Sequence, residues 1–464
     1  MHKRANTMID TPLILGLDFG TSGLRGVLVP LLPSGASPNP LASFQSEYPS
    51  TNLHQTTQAP ESWIQALENL SKKIPSQYKS HIEHIIVDAT SSTVLLYDPI
   101  QKVALTPALM YHDPRARLEA QEIEQWLLSQ NLLTQGAPIS TALGAALGAS
   151  STLSKVTWLL KNGSVSPQAI ICHQIDFING YLTGEYQITD ENNALKLGYD
   201  PISRNWSDWV QTWLSQWKLP LPEVNAAGTP LAKILPATAQ KLKLPEQCQI
   251  YCGTTDSIAA FYATGAQNLG DAVTSLGSTL AIKMLVKQPI YDSRSGLYSH
   301  RVGNQWLVGG ASNTGGAILL KYFSLNQLST LSNQLDLQLT QEQLSLPKLS
   351  IPTGLNYYPL AQRGERFPIS DAELLPKVTP RPKEDTEFLL GLIEGLVNIE
   401  KQAYQILQEQ SRTPLHHLYT VGGGTQNPAW QKLRQQVLTD DFSVDIKKPL
   451  QNEAAFGVTQ LLKF

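Results

Sequence analysis

Two aspartates stand where small and hydroxyl-bearing residues gather. Asp18 comes two residues before Gly20-Thr21-Ser22-Gly23, and Asp256 directly follows Gly253-Thr254-Thr255. A turn of Gly, Thr and Ser exposes backbone N–H groups and hydroxyls, which suits phosphate oxygens. A carboxylate just before such a turn can hold Mg²⁺ through water. Hairpins use the same residues routinely, so one turn decides little. Two further clusters add weight: Leu276-Gly277-Ser278-Thr279, and Gly422-Gly423-Gly424 within VGGGTQNPAW. Three glycines after a strand let a ring or a phosphate approach the backbone with no Cβ in the way. Beside them Asn427 can bond a base or a ribose, and Trp430 either stacks on a base or fills the core under its own helix. Asp256 can take the proton of an attacking hydroxyl. It can equally cap the helix that follows, and spacing alone favours the cap.

These residues need strands to carry them and helices to back them. Residues 13–29, LILGLDFGTSGLRGVLV, form two strand-length apolar runs around the first turn, a β-hairpin whose first strand ends at Asp18. Strands are expected at 85–88 and 93–96, and a helix over 59–74 with Trp63, Leu67 and Leu70 on one face. Further helices are expected at 115–128, 154–160 and 257–264, with close packing of the small residues of 136–151. The opening pattern then recurs: 272–285 reads strand, small-residue turn, strand, with two more strands at 296–300 and 306–309. Helices close the chain at 388–409, 430–438 and from Ala454. No short repeat occurs, so a solenoid is excluded. The economical fold is α/β, two domains of similar build with their turns facing each other over a cleft. The expected domains are 1–263 and 264–464, with the junction near 265–271.

Composition bounds the reading. The 464 residues allow two or three domains at roughly 150 residues each. Charged residues are 16% and hydrophobic residues 42%, which excludes a disordered, highly charged chain. With 35 Lys+Arg against 38 Asp+Glu, no electrostatic footprint for nucleic acid or an anionic membrane exists. No apolar run approaches the ~20 residues of a membrane span. Residues 1–12 are polar without an apolar signal core, and read as a disordered lead-in in which Met8 is an alternative start. Three cysteines, Cys172, Cys248 and Cys252, make no disulfide framework and fit a reducing compartment such as the cytoplasm. Cys248 and Cys252 lack the second pair that a metal site needs.

The motifs DFGTSGLRG, QAPESW, YLTGEYQITDENNA, CGTTDSIAAFYATGA, SLGST, GERFP, VGGGTQNPAW and NEAAFG occur in that order from Ile14 to the end. Together they resemble the FGGY family of carbohydrate kinases. The resemblance implies two actin/Hsp70-like (ribonuclease H-like) domains around a central cleft. It also implies transfer of the γ-phosphoryl of ATP to a sugar hydroxyl, with Mg²⁺. By motif, Asp18 would organise Mg²⁺ and the sugar, Thr21, Ser22 and Gly23 would face the phosphates, and Asp256 would be the base. Gly277 and Ser278 would line the phosphate site from the second domain, with Gly315, Gly423, Gly424 and Asn427 around the nucleotide. Ser278 stands where many members have Thr and keeps the hydroxyl.

The departures concern the sugar. Glycerol kinases carry Arg-Glu, and the usual xylulokinases Gln-Met-His-Gly, where this chain has Thr90-Ser91-Ser92. Tyr111 replaces the Trp of the family's Trp-x-Asp-x-Arg segment, here followed by His112, Asp113, Pro114 and Arg115. Length, TSSTVLL, ENNALKLGY and CGTTDSIAAF resemble the short D-ribulose kinases of photosynthetic organisms. D-ribulose is therefore the expected substrate, D-xylulose its rival, and Ser91 the expected sugar contact. Asp190 and Asn193 are expected to hold loops. An actin-fold ATPase switch is the reading from another class; GERFP and the segment bearing Asp256 match the sugar kinases instead. A kinase-like protein without activity is opposed by the presence of both Asp18 and Asp256.

Overall fold

Strand β1 (Leu13–Phe19) is buried along its whole length, and β2 (Gly23–Pro30) returns antiparallel beside it. The hairpin is thus the centre of a sheet and not an edge. The computed structural model describes residues 11–32, 39–49, 56–163, 166–345 and 353–462. The expected lead-in with Met8 lies outside them. The chain forms two units: one of Met1–Ala137, Ala145–Ala263 and Gln451–Phe464, the other of Pro138–Gly144 and Thr264–Leu450.

In the first unit β3 (Ala42–Glu47) continues the antiparallel side, while β4 (Ile82–Ala89), β5 (Pro230–Lys233) and β6 (Gln249–Thr255) complete the other. The order is β5-β6-β4-β1-β2-β3, with β1, β4 and β6 parallel. Helix α1 (Pro60–Lys73) buries Trp63, Leu67 and Leu70 in the core on one face. The C-terminal helix Ala454–Thr459 and α5 (Asp256–Ala263) cover the opposite face, where Ile14 and Ile86 meet Ala259 and Val458. Close approach here demands glycine. A Cβ on Gly16 would lie 1.9 Å from the Ala455 carbonyl oxygen, and one on Gly457 would lie 1.8 Å from that of Ala259. Helices α2 (Thr152–Asn162), α3 (Gln174–Thr183) and α4 (Glu191–Leu195) complete the parts that bear on the site.

The second unit repeats the plan. Strands β7 (Asp271–Leu276), β8 (Leu280–Val286), β9 (Tyr298–Val302) and β10 (Gln305–Ser312) run antiparallel, and β11 (His417–Val421) and β12 (Asp445–Lys447) add parallel to β7. The order is β9-β10-β8-β7-β11-β12. Helices α6 (Gly316–Tyr322), α7 (Leu325–Ser345), α8 (Asp385–Ser411) and α9 (Pro428–Phe442) pack against it. The α/β class and the recurring hairpin of the sequence reading are therefore what the chain adopts. One expectation fails: the small residues of 136–151 are mostly exposed or half-exposed, with one short 3₁₀ turn at Ala142–Ala146. Too few large apolar side chains lie there to bury a segment.

Candidate active site

The first unit gathers carboxyls at the ends of its parallel strands. Asp18 on β1 and Asp88 on β4 are register partners, and Thr254 on β6 pairs with Asp88 in turn. Alternation from Ile14 through Gly16 to Asp18, and from Ile86 to Asp88, puts both acids on the face covered by α5. Asp256 is the first residue of α5 and accepts a hydrogen bond from its neighbour's N–H, Ser257 N to Oδ1, at 2.6 Å. Three acids thus meet where a strand ends and a helix begins.

Their electrostatics follow from burial. The Asp18 carboxyl is pushed up to about 6, chiefly by burial and next by the Asp256 carboxylate, while Asp88 and Arg25 oppose the shift. Asp88 is fully buried, and its carboxyl shares a hydrogen bond with that of Asp18. Burial first, then Asp18 and Asp256, hold it well above the carboxylate range. The mutual effects have opposite signs, favouring charged Asp18 and protonated Asp88. Nothing in residue spacing singled out Asp88; the available signal was an acid ending an otherwise apolar strand.

The turn after β1 is fixed from outside. Tyr48 Oη donates to the Gly20 carbonyl at 3.0 Å, and Gln58 Nε2 to the Thr21 carbonyl at 2.7 Å. Trp63 Nε1 donates to Gln58 Oε1 at 2.8 Å, so the QAPESW segment locks the turn through α1. Thr21 and Gly23 are half-buried and Ser22 is exposed.

The turn after β4 is held still more closely. Gln174 Oε1 accepts from both Thr90 N (3.1 Å) and Thr90 Oγ1 (2.6 Å), and the Thr90 and Thr93 hydroxyls meet at 2.6 Å. Ser92 adopts φ of 64°, a left-handed conformation that costs energy for a residue with a Cβ. Its N–H reaches Asn193 Oδ1 at 3.4 Å. Asp190 caps α4 and accepts from Asn193 Nδ2 at 2.7 Å, so Asp190 and Asn193 do hold a loop. Against this order, Ser91 Oγ, Ser92 Oγ and Gln174 Nε2 are shielded from solvent and have no protein partner. Unpaired buried polar atoms are costly, and a polyol hydroxyl would satisfy them.

The second unit holds a different kind of site. A cavity of about 470 Å³ is walled by Gly277, Ser278, Gly316, Gly423, Gly424 and Asn427, with Leu320, Leu325, Leu328 and Trp430 as apolar wall. Gly315 packs beneath it: a Cβ there would sit 2.6 Å from the Ser278 carbonyl oxygen, and its φ is 146°. Gly424 lies against Leu276 and Trp430, while a Cβ on Gly423 would meet nothing. Trp430 is 1% exposed and belongs to the core, presenting an edge to the cavity. Asn427 Oδ1 caps α9 by accepting from Trp430 N at 2.9 Å. Its Nδ2, Trp430 Nε1 and Ser332 Oγ remain buried without partners. An apolar slot with a few unspent polar atoms suits a planar heterocycle. Helix α7 is not among the helices expected above; its signal in the sequence is Leu328, Leu331, Leu335 and Leu339 at helical spacing.

GERFP has a structural role here. Glu365 accepts from Ser312 Oγ (2.6 Å), Asn313 N (2.6 Å) and Tyr358 Oη (3.1 Å). It thereby fixes the end of β10, from which the chain enters Gly315 and α6.

Two α/β units built on one plan, one acidic and one glycine-walled, define a two-domain phosphotransferase architecture. Residues 13–262 match the N-terminal domain of the FGGY family of carbohydrate kinases, and residues 272–461 match its C-terminal domain. The chain belongs to that family and is a carbohydrate kinase. It is 24% identical over 446 residues to a xylulose kinase of Lactococcus lactis, covering 92% of this chain and 83% of the relative. The gluconate kinase of Lactobacillus acidophilus superposes with a TM-score of 0.78 at 20% identity, over 97% of this chain and 89% of that one. The glycerol kinase of Plasmodium falciparum with ADP gives 0.76 at 17% identity, with the same coverages of 97% and 89%. These relatives differ in sugar, so the likeness carries the fold and the family without the acceptor. Among the described residues no helix is long and apolar enough to cross a membrane.

Proposed function

We propose that the chain transfers the terminal phosphoryl group of ATP to a pentulose, D-ribulose in preference to D-xylulose. The observation that carries the reading is the Thr90–Thr93 turn, whose backbone is tied at Thr90 and Ser92 while the Ser91 hydroxyl is left shielded and unpaired. A buried hydroxyl in a rigid turn discriminates one sugar epimer from another, because the wrong epimer leaves it unsatisfied.

Asp256 takes the proton of the attacking sugar hydroxyl, and Asp18 orients the acceptor from the end of β1. The hydroxyls and backbone of Thr21 and Ser22, and of Ser278, receive phosphate oxygens; Gly20 N–H and Gly277 N–H are spent on the Gly23 and Thr279 carbonyls, each at 3.1 Å, and only shape their turns. The cavity at Gly423, Gly424, Asn427 and Trp430 receives the nucleotide. Mg²⁺ fits the residues present. It needs only one or two carboxylates when phosphates and water complete its shell, and among the described residues no cluster of three acidic, His or Cys side chains is placed to cage a metal. Asp18 would hold it through water, and when bound it neutralises phosphate charge.

A sugar panel with coupled detection of ADP tests the reading. D-ribulose should show kcat/KM about 5- to 150-fold above D-xylulose, the factor given by one unsatisfied buried group, and well above glycerol and gluconate. Ser91→Ala should lower kcat/KM for D-ribulose and leave nucleotide affinity unchanged. Equal use of both pentuloses by the wild-type protein removes the basis for naming D-ribulose.

A further inference from the structure

Lys155 is a fully buried lysine that the reaction does not use. It lies on α2 with no exposed surface. Burial, and to a lesser degree Lys196, lower its pKa to about 7, with Asp113 opposing. Lysine is among the residues least often fully buried, and a buried one needs partners. Its Nζ donates to two backbone carbonyls from separate segments: Ser92, and Met110 at 3.0 Å. A lysine donates two N–H bonds in either protonation state, so the tie survives the shift.

The two carbonyls belong to two separate turns. Ser92 is the left-handed residue of the turn that presents Ser91. Met110 opens the Tyr111–Arg115 turn, whose Asp113 N–H bonds back to the Met110 carbonyl at 3.0 Å. The same helix holds that turn a second time, because the Arg115 guanidinium lies 5.0 Å over the Trp158 ring. Ser92 is thereby gripped at both backbone poles, N–H by Asn193 and carbonyl by Lys155. A left-handed residue with a Cβ persists only where its surroundings over-determine it.

We infer that Lys155 is a positioning residue for sugar recognition, tying the Ser91–Ser92 turn to the Met110–Arg115 turn so that both keep one geometry before the acceptor arrives. The inference rests on the pentulose-kinase reading and deepens it. Without the tie, two buried carbonyls lose their donor and Ser92 can relax out of its left-handed conformation.

Steady-state kinetics of Lys155→Met with D-ribulose and ATP test it, together with Lys155→Arg, which keeps donors at the same place. The expected result for Lys155→Met is a rise in sugar KM of roughly tenfold or more, a smaller fall in kcat, and an ATP KM unchanged within about twofold. In a Ser91→Ala background the same substitution should cost less than half as much on a logarithmic scale, because both act through one turn. Lys155→Arg should recover part of the sugar KM; if Lys155→Met does not fold, Lys155→Arg is read alone and must shift sugar KM without shifting ATP KM. Sugar and ATP KM rising together, or full additivity with Ser91→Ala, overturns the inference. A wild-type protein inactive on every sugar of the panel would instead overturn the pentulose-kinase reading itself.

Discussion

The two units share a strand plan and differ in what they place at the same point of it. Two residues before the turn glycine stands Asp18 in one and Ser275 in the other, and their neighbours on the parallel strand are Asp88 and Val421. The acidic end carries carboxyls with no buried counter-charge beside them. The corresponding sheet in the second unit is underlain by a paired network: Arg434 Nε donates to Glu400 at 2.7 and 2.9 Å, Thr274 Oγ1 to Glu400 at 2.5 Å, and Arg434 to Thr420 at 2.6 Å. Paired buried networks rigidify the strands that carry them, and here only Arg434 Nη2 among the named donors is left without a partner. Under the proposed roles, a surface that has to fit a nucleotide is served by such rigidity. A site proposed to move a proton keeps carboxyls whose charge is poorly compensated, and the fold is weaker for it.

The comparison is broken most sharply at Asp256. Asp256→Asn should reduce turnover by ~10²–10⁴-fold, while calorimetric nucleotide affinity changes by less than about twofold. Retention of more than about a tenth of wild-type turnover would sink the general-base role.

A smaller effect should appear on the other side. Asn427→Asp keeps the oxygen that caps α9 and deletes the unpaired Nδ2 donor. Nucleotide affinity should fall by roughly 5- to 30-fold, or about 1–2 kcal/mol, with sugar KM unmoved. An unchanged affinity would show that the cavity does not use that amide.

A third effect is on stability and depends on pH. The folded protein raises the Asp18 pKa from 3.8 to about 6. The folded state therefore holds that proton more tightly than the unfolded chain, and stability is lost as pH climbs from about 4 to 6. The loss is at most about 3 kcal/mol. Asp18→Asn removes it, so the unfolding midpoint of the first unit should rise by a few degrees at pH 8 and not at pH 4. Its activity should be lost at both. A midpoint gain of equal size at both pH values would mean that the charge is not the cause.

How much of this was legible beforehand differs between the units in the same way. The hairpin, its Gly/Thr/Ser turn and Asp18 were readable because strand period and turn chemistry are local. So were α1, α8 and α9, whose apolar faces recur at helical spacing. The α7 wall has a weaker local signal, because its leucines are interleaved with polar residues. Asp88 is a different matter. In the sequence it is one acid among 38 Asp+Glu, and only its register against Asp18 distinguishes it.

What the sequence determined by itself was a set of short-range rules obeyed in order: two hairpins around small-residue turns, helices with one apolar face, and family motifs from end to end. The tertiary structure decided which groups meet. Gln58 and Trp63 lie far along the chain from the Thr21 carbonyl they hold, as do Lys155 from Ser92 and Glu365 from Ser312. Such partners leave no periodic trace, because a hydrogen bond between distant segments constrains two residues and nothing between them. Burial then set the chemistry, since a carboxyl's pKa depends on what surrounds it in space, and the neighbours that lift Asp18 and Asp88 come from separate strands and a helix start.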